Sequence, residues 1–189
     1  MAYCLDTDVA AYLGAQAPDA EMTLLTDYAA SIIDVFCNRQ FVATTETRLY
    51  DVPADRRELL LDKEILTCTQ LVNGDGSVIS PTNYVLYPLN GLYKHTIKLK
   101  WTLNGPNLFV FTTSPEGAIS VTGTWGYSAT APNAIKYANV RLAAWMYRLK
   151  DSGMDAQAPQ VSPSGMVILP ASTPKDVVDI LTRHKRTWR

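Results

Sequence analysis

The hydrophobic period of this chain changes twice, and that change limits the folds available to it more than any other feature. Met22, Leu25, Ala29, Ile32, Ile33 and Phe36 recur at three and four, which predicts a long amphipathic helix opening at Pro18-Asp19 and ending near Arg39. A shorter helix precedes it, capped by Asp6-Thr7-Asp8 and closed by Gly14. From Thr44 to Gly126 the period falls to two. Ile97, Leu99, Trp101 and Leu103 alternate with Thr96, Lys98, Lys100 and Thr102, and Ile119, Val121 and Trp125 alternate with Ser120, Thr122 and Thr124. Leu59–Leu61, Ile65–Val72, Tyr84–Tyr87 and Leu108–Phe111 are further strand candidates. The turn residues between them, such as Asn73-Gly74-Asp75-Gly76 and Pro88-Leu89-Asn90-Gly91, point to antiparallel hairpins. After Pro132 the helical spacing returns, with Ile135, Ala138, Leu142, Trp145, Met146 and Leu149 on one stripe expected to pack on the early long helix.

The resulting fold class is α+β: a helical core of residues 5–41 and 132–150 with a β-rich insert at 44–126, together forming a core domain of 1–150. Residues 151–173 read as an extended linker, since residues 154–174 hold four of the eleven prolines. Thr173-Pro174-Lys175-Asp176 starts a last helix, 174–189, striped by Val177, Leu181, His184 and Trp188 and detached in sequence from the core. Such a short helix is expected to stay poorly ordered until its stripe finds a groove.

Charge excludes a global attraction to nucleic acid or anionic membrane: 17 Lys and Arg stand against 18 Asp and Glu in 189 residues. The layout is nonetheless polar. Residues 1–38 carry Asp6, Asp8, Asp19, Glu21, Asp27 and Asp34 with no Lys or Arg, whereas 174–189 carries five bases against two acids. The N-terminus shows no secretion signal, and no apolar run approaches the ~20 residues of a membrane span.

No catalytic spacing is present. Two histidines, His95 and His184, cannot make a paired zinc site, no Gly-x-Ser-x-Gly elbow occurs, and Gly74-Asp75-Gly76 reads as a turn rather than a phosphate loop. The carboxylate pairs Asp6/Asp8, Asp62/Glu64 and Asp176/Asp179 read as caps, strand edge and first-turn residues. No cofactor or metal is expected, and Cys4, Cys37 and Cys68 are expected to be reduced. Trp101, Phe109, Phe111 and Trp125 are most simply sheet core, with Trp125 a buried anchor beside Gly123 and Gly126. Arg183, Lys185, Arg186 and Arg189, interleaved with His184 and Trp188, would suit an acidic partner or phosphates with base stacking.

Three segments carry a family resemblance: Ala29-Ala30-Ser31-Ile32-Ile33-Asp34 running into Cys37-Asn38-Arg39-Gln40-Phe41, Tyr84-Val85-Leu86-Tyr87-Pro88-Leu89-Asn90, and Val121-Thr122-Gly123-Thr124-Trp125-Gly126-Tyr127-Ser128 before the 135–149 helix. Through them residues 5–150 resemble the head-to-tail connector (adaptor) proteins of tailed bacteriophages. The resemblance implies a non-enzymatic virion protein assembled in the host cytoplasm, a ring of identical subunits under the portal vertex that bridges the portal protein to the next neck component. DNA would pass through its channel without sequence-specific binding, and no membrane would be involved. Partner binding falls by analogy on Val177, Leu181, Arg183, His184, Lys185, Arg186, Trp188 and Arg189. A ring also suits the charge layout, since heterologous packing sets an acidic surface against a basic one at every contact. The competing readings are a neck stopper or tail-completion protein, with stopper or tail-completion protein otherwise the tail-side partner, and a soluble β-rich nucleic-acid-binding module.

Overall fold

A computed structural model describes residues 2–91, 93–103, 105–151, 160–161, 167–168 and 173–186. The chain divides into two units, one made of the residues up to 41 and from 131 onward, the other of residues 42–130. The sequence period changes at both boundaries.

The first unit is helical. Helix α1 (Asp6–Leu13) starts one residue earlier than its acidic cap suggested: Leu5 is the N-cap, and the Asp8 carboxylate accepts from the Leu5 N–H at 3.0 Å. Gly14 closes it in the left-handed conformation, φ 75°, as only glycine does at little cost. Helix α2 (Ala20–Cys37) is capped by Asp19, whose side chain accepts from the Met22 N–H at 2.7 Å, and is closed by a left-handed Asn38. Its buried face, Met22, Ala29, Ile33 and Cys37, packs against helix α3 (Asn133–Asp151). Small residues on both sides, Ala29 and Ala30 against Ala138 and Ala143, let the helices approach closely. Asn139 is fully buried there and donates to Cys4 Sγ at 2.9 Å and to the Thr26 carbonyl at 3.4 Å.

Helix α4 (Lys175–His184) belongs to this unit, which corrects the expectation of a terminal helix without a groove of its own. It lies against α2 and α3 with Val177 and Leu181 buried. Burial of the stripe supplies the stability that a ten-residue helix lacks alone.

The second unit is a five-stranded antiparallel sheet in the order β1-β7-β2-β4-β3, built from β1 (Thr44–Tyr50), β2 (Glu58–Val72), β3 (Tyr84–Tyr87), β4 (Lys94–Leu99) and β7 (Ile119–Trp125). Two residues each form the small ladder of β5 (Trp101–Thr102) with β6 (Gly105–Pro106). Strand β7 is buried at every second residue, Ile119, Val121, Gly123 and Trp125, and its wet face meets β1 and β2 through the threonine pairs Thr47–Thr122 and Thr67–Thr124. Strand β2 changes partner along its length: its first half pairs with β4, its second with β7, and register shifts near Ile65 allow the turn from one to the other. The hairpin expectation therefore holds for β3–β4, whereas β1 and β2 are parted by β7.

One expected strand is not formed. Segment Leu108–Phe111 runs without a ladder because its backbone groups go to scattered partners: the Asn73 side chain donates to the Leu108 carbonyl at 3.2 Å and accepts from the Val110 N–H at 2.8 Å, the Phe109 N–H donates to the Arg56 carbonyl, and the Val110 carbonyl accepts from the Gly74 N–H. Gly74 approaches the same segment so closely that a Cβ there would sit 2.5 Å from the Val110 carbonyl oxygen. Within the Pro-rich stretch two short strands pair, β8 (Gln160–Val161) and β9 (Val167–Ile168); of the rest of the expected linker, 152–159, 162–166 and 169–172 lie outside the described residues.

Candidate partner-binding surfaces

At least one carboxylate of each expected pair is engaged in holding the fold, whereas Glu64, expected on a solvent-facing strand edge, is buried. Asp6 accepts from the Thr7 N–H and from the Thr23 hydroxyl, and Asp176 binds Arg141 at 2.8 Å. Asp62 accepts from the Tyr50 hydroxyl and binds Arg48. Partial burial works against the charge on Asp62, but the Tyr50 and Arg48 hydrogen bonds outweigh it and hold the carboxyl below its usual range. Burial and the same Asp62 contact push the Tyr50 hydroxyl up. Arg48 is sandwiched, its guanidinium 5.1 Å from the centre of the Trp125 ring and its nitrogens on Glu46 and Asp62. Among the described residues no group of three His, Cys, Asp or Glu could hold a metal ion. The cysteines are free; Cys4 and Cys37 are buried, and burial raises the Cys37 thiol to about 11. No helix among the described residues is long and apolar enough to cross a membrane.

The C-terminal residues divide by exposure. Val177 and Leu181 are interior, with the Leu181 carbonyl facing Cys37 Sγ at 3.5 Å. His184 stacks edge-on against Phe41, ring centres 6.1 Å apart, and the Arg186 N–H donates to the Cys37 carbonyl at 2.9 Å. These contacts lock the helix end onto the Asn38 cap of α2. Arg183 and Lys185 point outward, Lys185 lying 5.5 Å from the Phe36 ring centre. Trp188 and Arg189 lie outside the described residues. The tail thus presents a cationic edge rather than a free apolar stripe.

A second surface was missed by the sequence reading. Trp125 and Phe109 are core, as expected, but Phe111 is partly exposed and Trp101 is 65% exposed. The alternation of Ile97, Leu99, Trp101 and Leu103 breaks at Lys100, where the chain leaves β4 for the two-residue ladder with β6, so Trp101 and Leu103 no longer face the core. Trp101 instead shares a pocket of about 240 Å³ with Arg57, Tyr87, Lys98 and Lys100. The Arg57 guanidinium lies 4.9 Å from the Trp101 ring centre and donates to the Leu99 carbonyl at 3.1 Å. Lys98 is 5.8 Å from the Tyr87 ring centre and pairs with Glu58. The available signal was Lys98 and Lys100 alternating with Leu99 and Trp101 at the end of β4.

No protein-family model and no curated protein matches the chain. Solved structures do match. The chain superposes on a chain from the neck of an empty gene transfer agent particle with C6 symmetry at a TM-score of 0.64, with 17% identity over 99% of this chain and 91% of that one. A chain from the neck of the native particle with C12 symmetry gives 0.58 and 14% identity over 100% and 94%. One from the virion of the native gene transfer agent particle gives 0.61 and 16% over 98% and 93%. The α+β architecture described above, from first helix to last, is therefore the fold of a chain found in the necks of gene transfer agent particles.

Proposed function

We propose that this chain is a structural, non-enzymatic subunit of the neck of a phage-like particle, a head-to-tail adaptor that assembles as a ring around the DNA channel beneath the portal vertex. The observation that carries the reading is the superposition on gene transfer agent neck chains over 99% of the chain at a TM-score of 0.64. The sixfold and twelvefold symmetry of those necks supports a ring of copies, twelve being the larger number. Portal protein on one side and a stopper or tail-completion protein on the other are the proposed partners. The exposed Arg183 and Lys185, together with Trp188 and Arg189, are the candidates for portal contact, and steering by these cations would make attachment sensitive to salt. The engagement of Asp6, Asp8, Asp62 and Asp176 in caps, hydrogen bonds and ion pairs supports a role exercised by contact rather than chemistry.

The test is removal of the chain from the producing cell. Closed, DNA-containing heads without tails are expected, and supplying the chain in trans should restore tailed particles that contain it at the neck. Normal tailed particles formed in its absence would overturn the reading.

A further inference from the structure

Helix α2 has an outer face that its own unit leaves uncovered. Opposite the buried Met22, Ala29 and Ile33, residues Leu24, Tyr28 and Val35 line up at spacings of four and seven, and they are 67%, 58% and 82% exposed. On the helix Glu21 and Asp27 fall on either side of this stripe, and no Lys or Arg precedes Arg39. It is an apolar stripe in an acidic setting.

The pocket at the end of β4 has the opposite character. Trp101 and the fully exposed Leu103 supply apolar area, while Arg57, Lys98 and Lys100 supply positive charge. Its geometry is prearranged, since Trp101 and the Leu99 carbonyl hold the Arg57 guanidinium in place. Arg57 Nε is buried and has no acceptor among the described residues. Arg, Trp and Tyr in one pocket are the residue types that anchor protein interfaces. Lys98 is already neutralised by Glu58, which leaves a face with as much apolar as cationic character. A helix with an apolar stripe and an acidic rim fits such a face better than a phosphate backbone, which would bind the cations and leave Leu103 wet.

We infer that the two surfaces are the two sides of one contact between copies: the Leu24–Tyr28–Val35 face of α2 in one subunit seats on the Trp101, Tyr87 and Arg57 pocket of the next, with Asp27 and Glu21 toward Lys100. Each copy carries both halves, so the contact is heterologous and repeats around a ring. Charge complementarity selects the occupant, because exposed apolar area on both surfaces is covered together while the acidic rim of one faces the cations of the other. The inference rests on the ring reading and names its surfaces.

Sedimentation velocity of the full chain over a concentration series tests it. Concentration-dependent self-association is expected for the wild type. Tyr28→Lys and Trp101→Ala are each expected to weaken it by about tenfold or more, a difference of about 1.4 kcal/mol. Asp27→Lys and Lys100→Glu should each weaken it as well, and the double variant Asp27→Lys/Lys100→Glu should regain most of the loss. Thermal unfolding close to wild type checks that these surface variants remain folded. Single variants that associate like the wild type, or a double variant no better than its parents, would overturn the interface. Loss of binding to duplex DNA in Trp101→Ala and Lys100→Glu with self-association intact would overturn it in favour of a nucleic-acid face. The two readings fail separately: particles carrying full rings of Tyr28→Lys subunits would remove this interface and keep the ring, whereas a wild-type chain that never oligomerises and occurs as one copy per particle would remove both.

Discussion

Two tryptophans separated by 24 positions in the sequence show how little residue type alone decides. Trp125 is fully buried at the end of β7, donates its indole N–H to the Glu46 carbonyl at 3.0 Å and stacks on Tyr50 with ring centres 6.0 Å apart. The neighbouring Gly123 is forced by the same crowding, since a Cβ there would lie 2.2 Å from the Thr67 carbonyl oxygen. Gly126, at φ 142°, occupies a conformation that side chains rarely adopt. Trp125→Ala is therefore expected to cost about 3–5 kcal/mol, because it empties a cavity and strands a carbonyl acceptor. Trp101→Ala removes a mostly exposed ring and should stay within roughly 1 kcal/mol. Urea unfolding of the two variants checks the contrast, and equal losses would refute the burial assignment.

At the scale of elements, α4 carries the sharpest tension between composition and packing. Its cations suit the end of a helix, where Arg183 opposes the dipole, and its apolar stripe reads equally well as a docking face for another molecule. The structure seats that stripe on α2 and α3 and pins the helix start through Arg141, which binds Asp176 and also donates to the Tyr12 hydroxyl at 2.8 Å. Removing 174–189 would thus uncover Cys37 and the facing part of α3. Rather than leaving the core untouched, this deletion is expected to lower the thermal midpoint of the helical unit, and Leu181→Ala alone should cost about 2–5 kcal/mol. Replacing Arg183 and Lys185 by Ser should leave the midpoint unchanged, since both side chains are exposed. Calorimetry separates the outcomes. A truncated chain with the wild-type midpoint would restore the picture of a helix independent of its core.

At the scale of the whole molecule, a β-rich unit is inserted into a helical one, and its entry and exit strands meet. The Ala43 N–H donates to the Ser128 carbonyl at 2.9 Å, and Val42 and Ser128 form a parallel bridge. Ends held side by side are the condition for an insert that closes its own core, and this one buries Leu61, Ile65, Ile97, Phe109, Val121 and Trp125 together. A fragment of residues 42–130 is accordingly expected to fold alone, with the fluorescence of a buried tryptophan and cooperative unfolding. A fragment with the spectrum of an unfolded chain would show that the sheet depends on the helical unit.

Helix α2, helix α3 and strand β7 were legible in the sequence because each buries one face, and burial of one face imposes its period locally. Asp19 marked the start of α2 through capping chemistry confined to a single turn. The order β1-β7-β2-β4-β3, the exposure of Trp101 and the seating of α4 were not legible, since each depends on partners far along the chain. Leu108–Phe111 is an apolar run that reads as a strand, yet its backbone groups are met singly, by the Asn73 side chain and by the backbones of Arg56 and Gly74, and no ladder forms. Local periodicity determined which residues turn inward within an element. Only the tertiary structure decided where an alternating run loses its neighbour, and so which aromatic and basic residues were left on the surface.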